Sequence, residues 1–139
     1  MFRTAGGMAA ALGVILHDLP PGFRTVEVGD SHLVVGPTGA FLLAAADRDL
    51  AGAAARLNRL AQRARVLLAA RVGSTPFLDA LVVAEPGPEV SPLTSIVAPR
   101  MVRDTLLAGP PLLTATAVDR LVQGARRVAR DLVSEPGTP

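Results

Sequence analysis

The sequence has no cysteine, tryptophan or tyrosine and only four phenylalanines. Without cysteine there is no disulfide framework, no thiolate zinc site and no cysteine nucleophile, so packing alone must hold the fold. Scarce aromatics argue against single-strand nucleic-acid readers, which stack bases on several exposed rings. Lysine is also absent: all 14 basic residues are arginine. That removes a P-loop lysine, a Schiff-base lysine and the lysine of a nuclease metal site. No large charge excess of either sign exists, since 14 basic residues face 12 acidic ones, and composition alone does not mark a nucleic-acid binder. Long apolar runs are missing too. Residues 5–16 are apolar but include Gly6, Gly7 and Gly13, and are too short to span a bilayer. No small-residue cleavage site precedes His17-Asp18, so a secretory leader is not expected and a cytoplasmic location is. An Ala- and Arg-rich, Lys-free composition is that of GC-rich bacterial coding.

What is present is a chain of 139 residues, half of them apolar and most of those Ala and Leu. That length fits one domain, residues 1–135, with a short tail at 136–139. The first dozen residues predict a short Ala-rich helix that its glycines weaken. Residues 13–18 read as a strand entering the Pro20-Pro21-Gly22 turn, and alternation resumes at 25–28. Residues 32–35 predict a buried strand that Gly36-Pro37-Thr38-Gly39 turns into a second strand at 40–45. From 49 to 72, Leu50, Ala53, Ala54, Leu57, Leu60, Ala61, Ala64, Leu67 and Leu68 recur at helical spacing, and Asp47 or Asp49 can cap the start. A strand at 78–84, a Pro/Gly-rich loop at 86–92, a short strand at 94–97 and a helix at 99–107 with Pro99 in its first turn follow. The last helix begins after Thr114 or Thr116 and places Val118, Leu121, Val122, Ala125, Val128, Ala129 and Leu132 on one core-facing stripe. The expected fold class is α/β, a mixed β-sheet flanked by helices.

Two sets of polar residues are candidates for function. Asp18, Glu27, Asp30 and His32, with His17 nearby, fall around the first hairpin. Carboxylates gathered at strand ends are how metal-dependent phosphodiesterases hold Mg²⁺. Asp18 beside Pro and Asp30 beside Gly are equally ordinary turn residues, and this second reading is preferred, with no metal site expected. Ser31 lacks the strand-to-helix elbow of a nucleophilic serine. The second set is arginine: Arg56, Arg59 and Arg63 make a stripe on the long helix, with Arg48 before it and Arg71 near its end. Arg120, Arg126, Arg127 and Arg130 lie on the last helix. Converging stripes could track phosphates, but the interleaved acids favour a solvated helix face.

The strings Leu16-His17-Asp18-Leu19-Pro20 and His32-Leu33-Val34-Val35-Gly36-Pro37-Thr38-Gly39-Ala40-Phe41 resemble the core of the nuclease-related NERD domain. The later order of elements is similar over most of the chain. The resemblance implies a restriction-endonuclease-like fold, with an aspartate just before the strand histidine and an acid and a lysine two apart on the next strand. Here those positions hold Ser31, Ala44 and Ala46, and Asp30 is displaced by one residue. The acid such enzymes carry on the first helix has no counterpart in residues 1–12. Alanines supply neither a metal ligand nor a cation to orient water, so no catalytic residue and no cofactor are expected. Asp47 lies past the strand, and Arg48 does not share the geometry of a lysine. The expectation is an inactive nuclease-related domain that binds a protein partner or self-associates. A non-cleaving DNA or RNA binder using Arg48, Arg56, Arg59, Arg63, Arg126, Arg127 and Arg130 is the alternative, and an active metal-dependent nuclease with a rearranged site is the second alternative.

Overall fold

A computed structural model of the chain describes residues 7–73, 78–85 and 95–133. Its elements are α1 (Gly7–His17), β1 (Arg24–Val28), β2 (Ser31–Gly36), β3 (Gly39–Ala45), α2 (Leu50–Val72), β4 (Leu78–Val83), β5 (Ser95–Val97), α3 (Pro99–Leu107) and α4 (Ala115–Val133). The strands form one five-stranded mixed sheet in sequence order. β1, β2 and β3 are antiparallel neighbours, whereas β4 pairs parallel to β3 and β5 parallel to β4.

Alternation along the strands divides the core in two. Leu33 and Val35 of β2, Ala40 and Leu42 of β3, and Leu78 and Val82 of β4 pack towards α2 and α4. Val34, Phe41, Leu43, Leu81 and Val83 pack towards Leu12 of α1 and Val102 and Leu106 of α3. Strands covered on both faces need apolar residues at successive positions, which is what 33–35 and 40–43 supply. The turn after β2 is held by packing as well as by its ladder. A Cβ on Gly36 would collide with the ring of Phe23, so only glycine lets that ring lie over the strand. The Pro37 carbonyl accepts from the amides of Leu112 and Leu113, which ties the turn to the segment between α3 and α4.

Most of the expected strands and helices hold. One does not: residues 13–18 are not a strand but continue α1 to His17. The reason is the spacing of what is buried, since Met8, Leu12, Ile15, Leu16 and Leu19 repeat at helical intervals against the α3 side of the sheet, while Gly13 and Val14 face outward. Tertiary burial outweighs the β preference of the adjoining Val14 and Ile15. The loop at 86–92, Thr94 and the tail at 136–139 lie outside the described residues.

Both aspartates proposed as caps have work, at different helices. Asp49 takes a left-handed conformation (φ 52°, ψ 58°) and accepts from the Gly52 amide at 3.2 Å, capping α2. Asp47 instead accepts from the Met8 amide at 3.2 Å, setting a carboxylate at the positive end of α1. Thr114, and not Thr116, caps α4 through the Ala117 amide. Asp49→Ala removes the acceptor while keeping a side chain at a left-handed position, so it should lower stability by about 1–2 kcal/mol. Asp49→Gly, relieved of that strain, should cost clearly less. Urea unfolding midpoints of the two variants check the order.

Candidate functional site

Where β3 ends, α2 begins and α4 finishes, a cleft of about 580 Å³ opens on the α2/α4 side of the sheet. Its floor is Ser31 at the start of β2 with Ala44 and Ala45 at the end of β3, and the Gly29-Asp30 turn forms one rim. Leu57, Leu60, Leu132 and Val133 supply apolar walls, and Arg56 and Arg59 rise from α2. The space has a simple origin: the side chains at 31, 44, 45 and 53 are all small.

Ser31 and Ala44 are two of the positions at which the resemblance implies metal-holding groups, and the fold brings them together. The β2–β3 register pairs His32 with Leu43, so one further step sets Ser31 opposite Ala44. Ala46 is buried in the same α2/α4 core and does not line the cleft. Asp30 does line it. Strand alternation does not govern that residue, because it belongs to the two-residue turn and not to the ladder.

The other members of the polar set lie away from the cleft. Glu27 and His32 are register partners on β1 and β2, but on alternate positions from Val26, Val28 and Leu33, and so on the α1/α3 face. Asp18 follows the C-terminus of α1, where its carbonyl accepts from Arg103 of α3, and His17 is exposed beside it. That end of α1 is the one remote from Met8, which meets Asp47 beyond the end of β3. The structure thus makes Glu27 and His32 neighbours but sets Asp30 in the cleft lining and Asp18 at the end of α1, so the four do not form one group. Among the described residues no group of three or more His, Cys, Asp or Glu side chains could hold a metal ion.

The arginines also separate by role. Arg63 reaches across to the last turn of α4, donating to the Asp131 and Leu132 carbonyls at 3.3 Å each. There its positive charge meets carbonyls near the carboxyl end of α4, where the helix dipole favours a cation. Arg24 pairs with Asp119 at 2.7 Å across β1 and α4, with both side chains substantially exposed. Arg56 and Arg59 are exposed at the cleft and make no hydrogen bond or ion pair with a described residue. Arg48, Arg126, Arg127 and Arg130 are exposed elsewhere and do not line it.

Ser31 was not expected to matter as a polar group. Its residue is only 8% exposed, and its hydroxyl makes no hydrogen bond with a described residue although it borders the cleft. The signal was available in the alternation, which sets 31 on the same side as Leu33 and Val35. A titratable group that the sequence did not single out is Asp79 of β4, whose carboxyl is raised above its ordinary value of 3.8 by desolvation. It shares the α1/α3 side of β4 with Leu81 and Val83, away from the cleft lining.

Arg63→Ala should lower stability by about 1–2 kcal/mol, because two carbonyls lose a charged donor, while Arg56→Ala and Arg59→Ala should change it by less than about 0.5 kcal/mol. Urea denaturation of the three variants distinguishes the structural arginine from the other two. For Asp79 the raised folded value means that its contribution to stability is fully present below 3.8 and lost as pH rises through the folded value. Asp79→Asn should therefore be more stable than the parent at pH 7, an advantage that vanishes below about pH 3.8, as thermal unfolding across that range would show. Comparison with protein-family models, with curated proteins and with solved structures finds no match for this chain.

Proposed function

We propose that this chain is a catalytically inactive, nuclease-related domain of the NERD type, with a restriction-endonuclease-like arrangement, that works in a bacterial cytoplasm by binding a protein partner or its own copies. The observation that carries this reading is the cleft at the end of β3. At the positions where the resemblance calls for an acid on β2 and an acid on β3, the lining offers the Ser31 hydroxyl and the Ala44 methyl. A lysine to follow them is absent from the whole sequence. The order of elements supports the same reading: a helix, a three-stranded antiparallel meander, a second helix and a strand that returns parallel to β3. Of the two strings that carry the resemblance, one lies at the end of α1 and one across β2, its turn and β3.

Association is favoured by α1. Its outward positions Ala9, Ala10, Gly13 and Val14 carry no charge, and Val14 is 71% exposed. None of the helices among the described residues is long and apolar enough to cross a membrane. A second reading, a non-cleaving nucleic-acid binder, is favoured by one observation: Arg56 and Arg59 stand at the cleft with no protein partner among the described residues.

One experiment orders these readings. The purified protein is incubated with single- and double-stranded DNA and RNA in Mg²⁺ or Mn²⁺, and binding is titrated at several salt concentrations. The expected result is no cleavage above that of an Asp30→Ala control, and no strongly salt-dependent binding. Binding whose log–log salt slope is about −2, lost in an Arg56→Ala/Arg59→Ala variant, would establish the second reading. Cleavage abolished by Asp30→Ala would overturn the assignment and make the domain an active nuclease with a rearranged site.

A further inference from the structure

We infer that the cleft at the end of β3 is a binding site for a small oxyanion, a phosphate or carboxylate group carried on a compact aliphatic body. The inference rests on the reading of this cleft as non-catalytic and names the ligand class that its groups would take. Three independent features converge on it. First, Arg56 and Arg59 are the two cationic side chains among the described residues of the lining, and neither has a partner among the described residues, unlike Arg63 one turn further along. Two guanidinium groups provide a fork of donors suited to a tetrahedral or planar oxyanion. Second, Ser31 is more than nine-tenths buried as a residue, its hydroxyl has no hydrogen-bond partner among the described residues, and it lines the cleft. A buried hydroxyl without a partner is costly, and a ligand oxygen would satisfy it. Third, the walls between these polar groups are aliphatic, from Leu57, Leu60, Leu132 and Val133.

The same lining argues against a nucleic-acid strand as the occupant. Among the described residues no aromatic side chain lines the cleft, so these offer bases no stacking platform. Arg126, Arg127 and Arg130 of α4 lie outside the lining and do not extend it into a track for successive phosphates. Among the described residues of the lining, Asp30 on the rim is the one acidic group. It subtracts from the attraction of the two arginines without cancelling it, and it disfavours ligands of high negative charge.

The test is a titration of the ¹⁵N-labelled full chain with inorganic phosphate, n-butyl phosphate, butyrate and a short single-stranded oligonucleotide, followed by amide and arginine side-chain NMR signals. Saturable shifts confined to residues around Ser31, Arg56 and Arg59 are expected. n-Butyl phosphate should bind at least about fivefold more tightly than inorganic phosphate because its chain removes methylene groups from water. Whichever of n-butyl phosphate and butyrate binds more tightly identifies the headgroup. Arg56→Ala/Arg59→Ala should weaken binding by about tenfold or more, and Ser31→Ala by about threefold to tenfold, with unchanged spectra elsewhere showing that both variants are folded. Shifts spread over all exposed arginines, affinities untouched by these substitutions, or a marked preference for the oligonucleotide would each overturn the inference. Its failure is separable from failure of the non-catalytic reading: the same sample assayed with Mg²⁺ or Mn²⁺ reports cleavage directly, whatever binds in the titration.

Discussion

Phe41 and Leu43 press into the layer formed by α1 and α3 while Ala40 and Leu42 press into the layer formed by α2 and α4, and the other elements are placed by that alternation along β3. Each large side chain buried this way contributes about 1.5–3 kcal/mol, so a strand filled on both faces cannot slip by one residue without exchanging its two cores. β3 is also where the sheet changes direction. Its partner on one side is antiparallel and reached by a tight turn, while its partner on the other side is parallel and requires a crossover. The crossover is α2, a helix of 23 residues that starts just beyond the end of β3 and lies across the sheet. The cleft follows from this topology, because the first turns of α2, the hairpin before β2 and the end of α4 are all brought to the carboxyl end of the same strand.

What keeps that region open is the distribution of small and committed side chains. Ser31, Ala44, Ala45 and Ala53 leave volume that larger residues would fill. Arg63 fixes the last turn of α4 against α2, so the wall carrying Leu132 and Val133 is positioned by a charged contact to backbone and not by packing alone. Three arginines that look equivalent on one helical stripe thus do different work. The packing of α4 decides which of them closes a helix end and which remain at the cleft.

The sequence made the strands and the two long helices legible because each has a strong local period. Residues 32–35 and 40–45 are bounded by glycine turns, and the stripes from Leu50 to Leu68 and from Val118 to Leu132 repeat at three and four. The segment at 13–18 is less legible, because two adjoining β-branched residues mask a helical burial pattern that starts earlier, at Met8. At the site, the positions opposite each other on β2 and β3 were readable, since Ser31 alternates with Leu33 and Ala44 with Leu42. The polar set was not. Asp18, Glu27, Asp30 and His32 are close in sequence, yet hairpin geometry sends Glu27 and His32 to the other face and a helix carries Asp18 to the other end of α1. Nor could the sequence show that Arg63 meets α4, which depends on how two helices distant in the chain pack together.

Ser31 constrains what the cleft can accept more tightly than its volume does. Its residue is buried at the cleft, and leaving a buried hydroxyl unpaired costs about 1–3 kcal/mol. Water entering the cleft can satisfy it, so an occupant that replaced the water with a hydrocarbon surface would restore the penalty. A purely apolar ligand is therefore disfavoured at the floor although the walls would welcome it. A cation is disfavoured by Arg56 and Arg59. An oxygen acceptor bearing negative charge satisfies the hydroxyl and both guanidinium groups together.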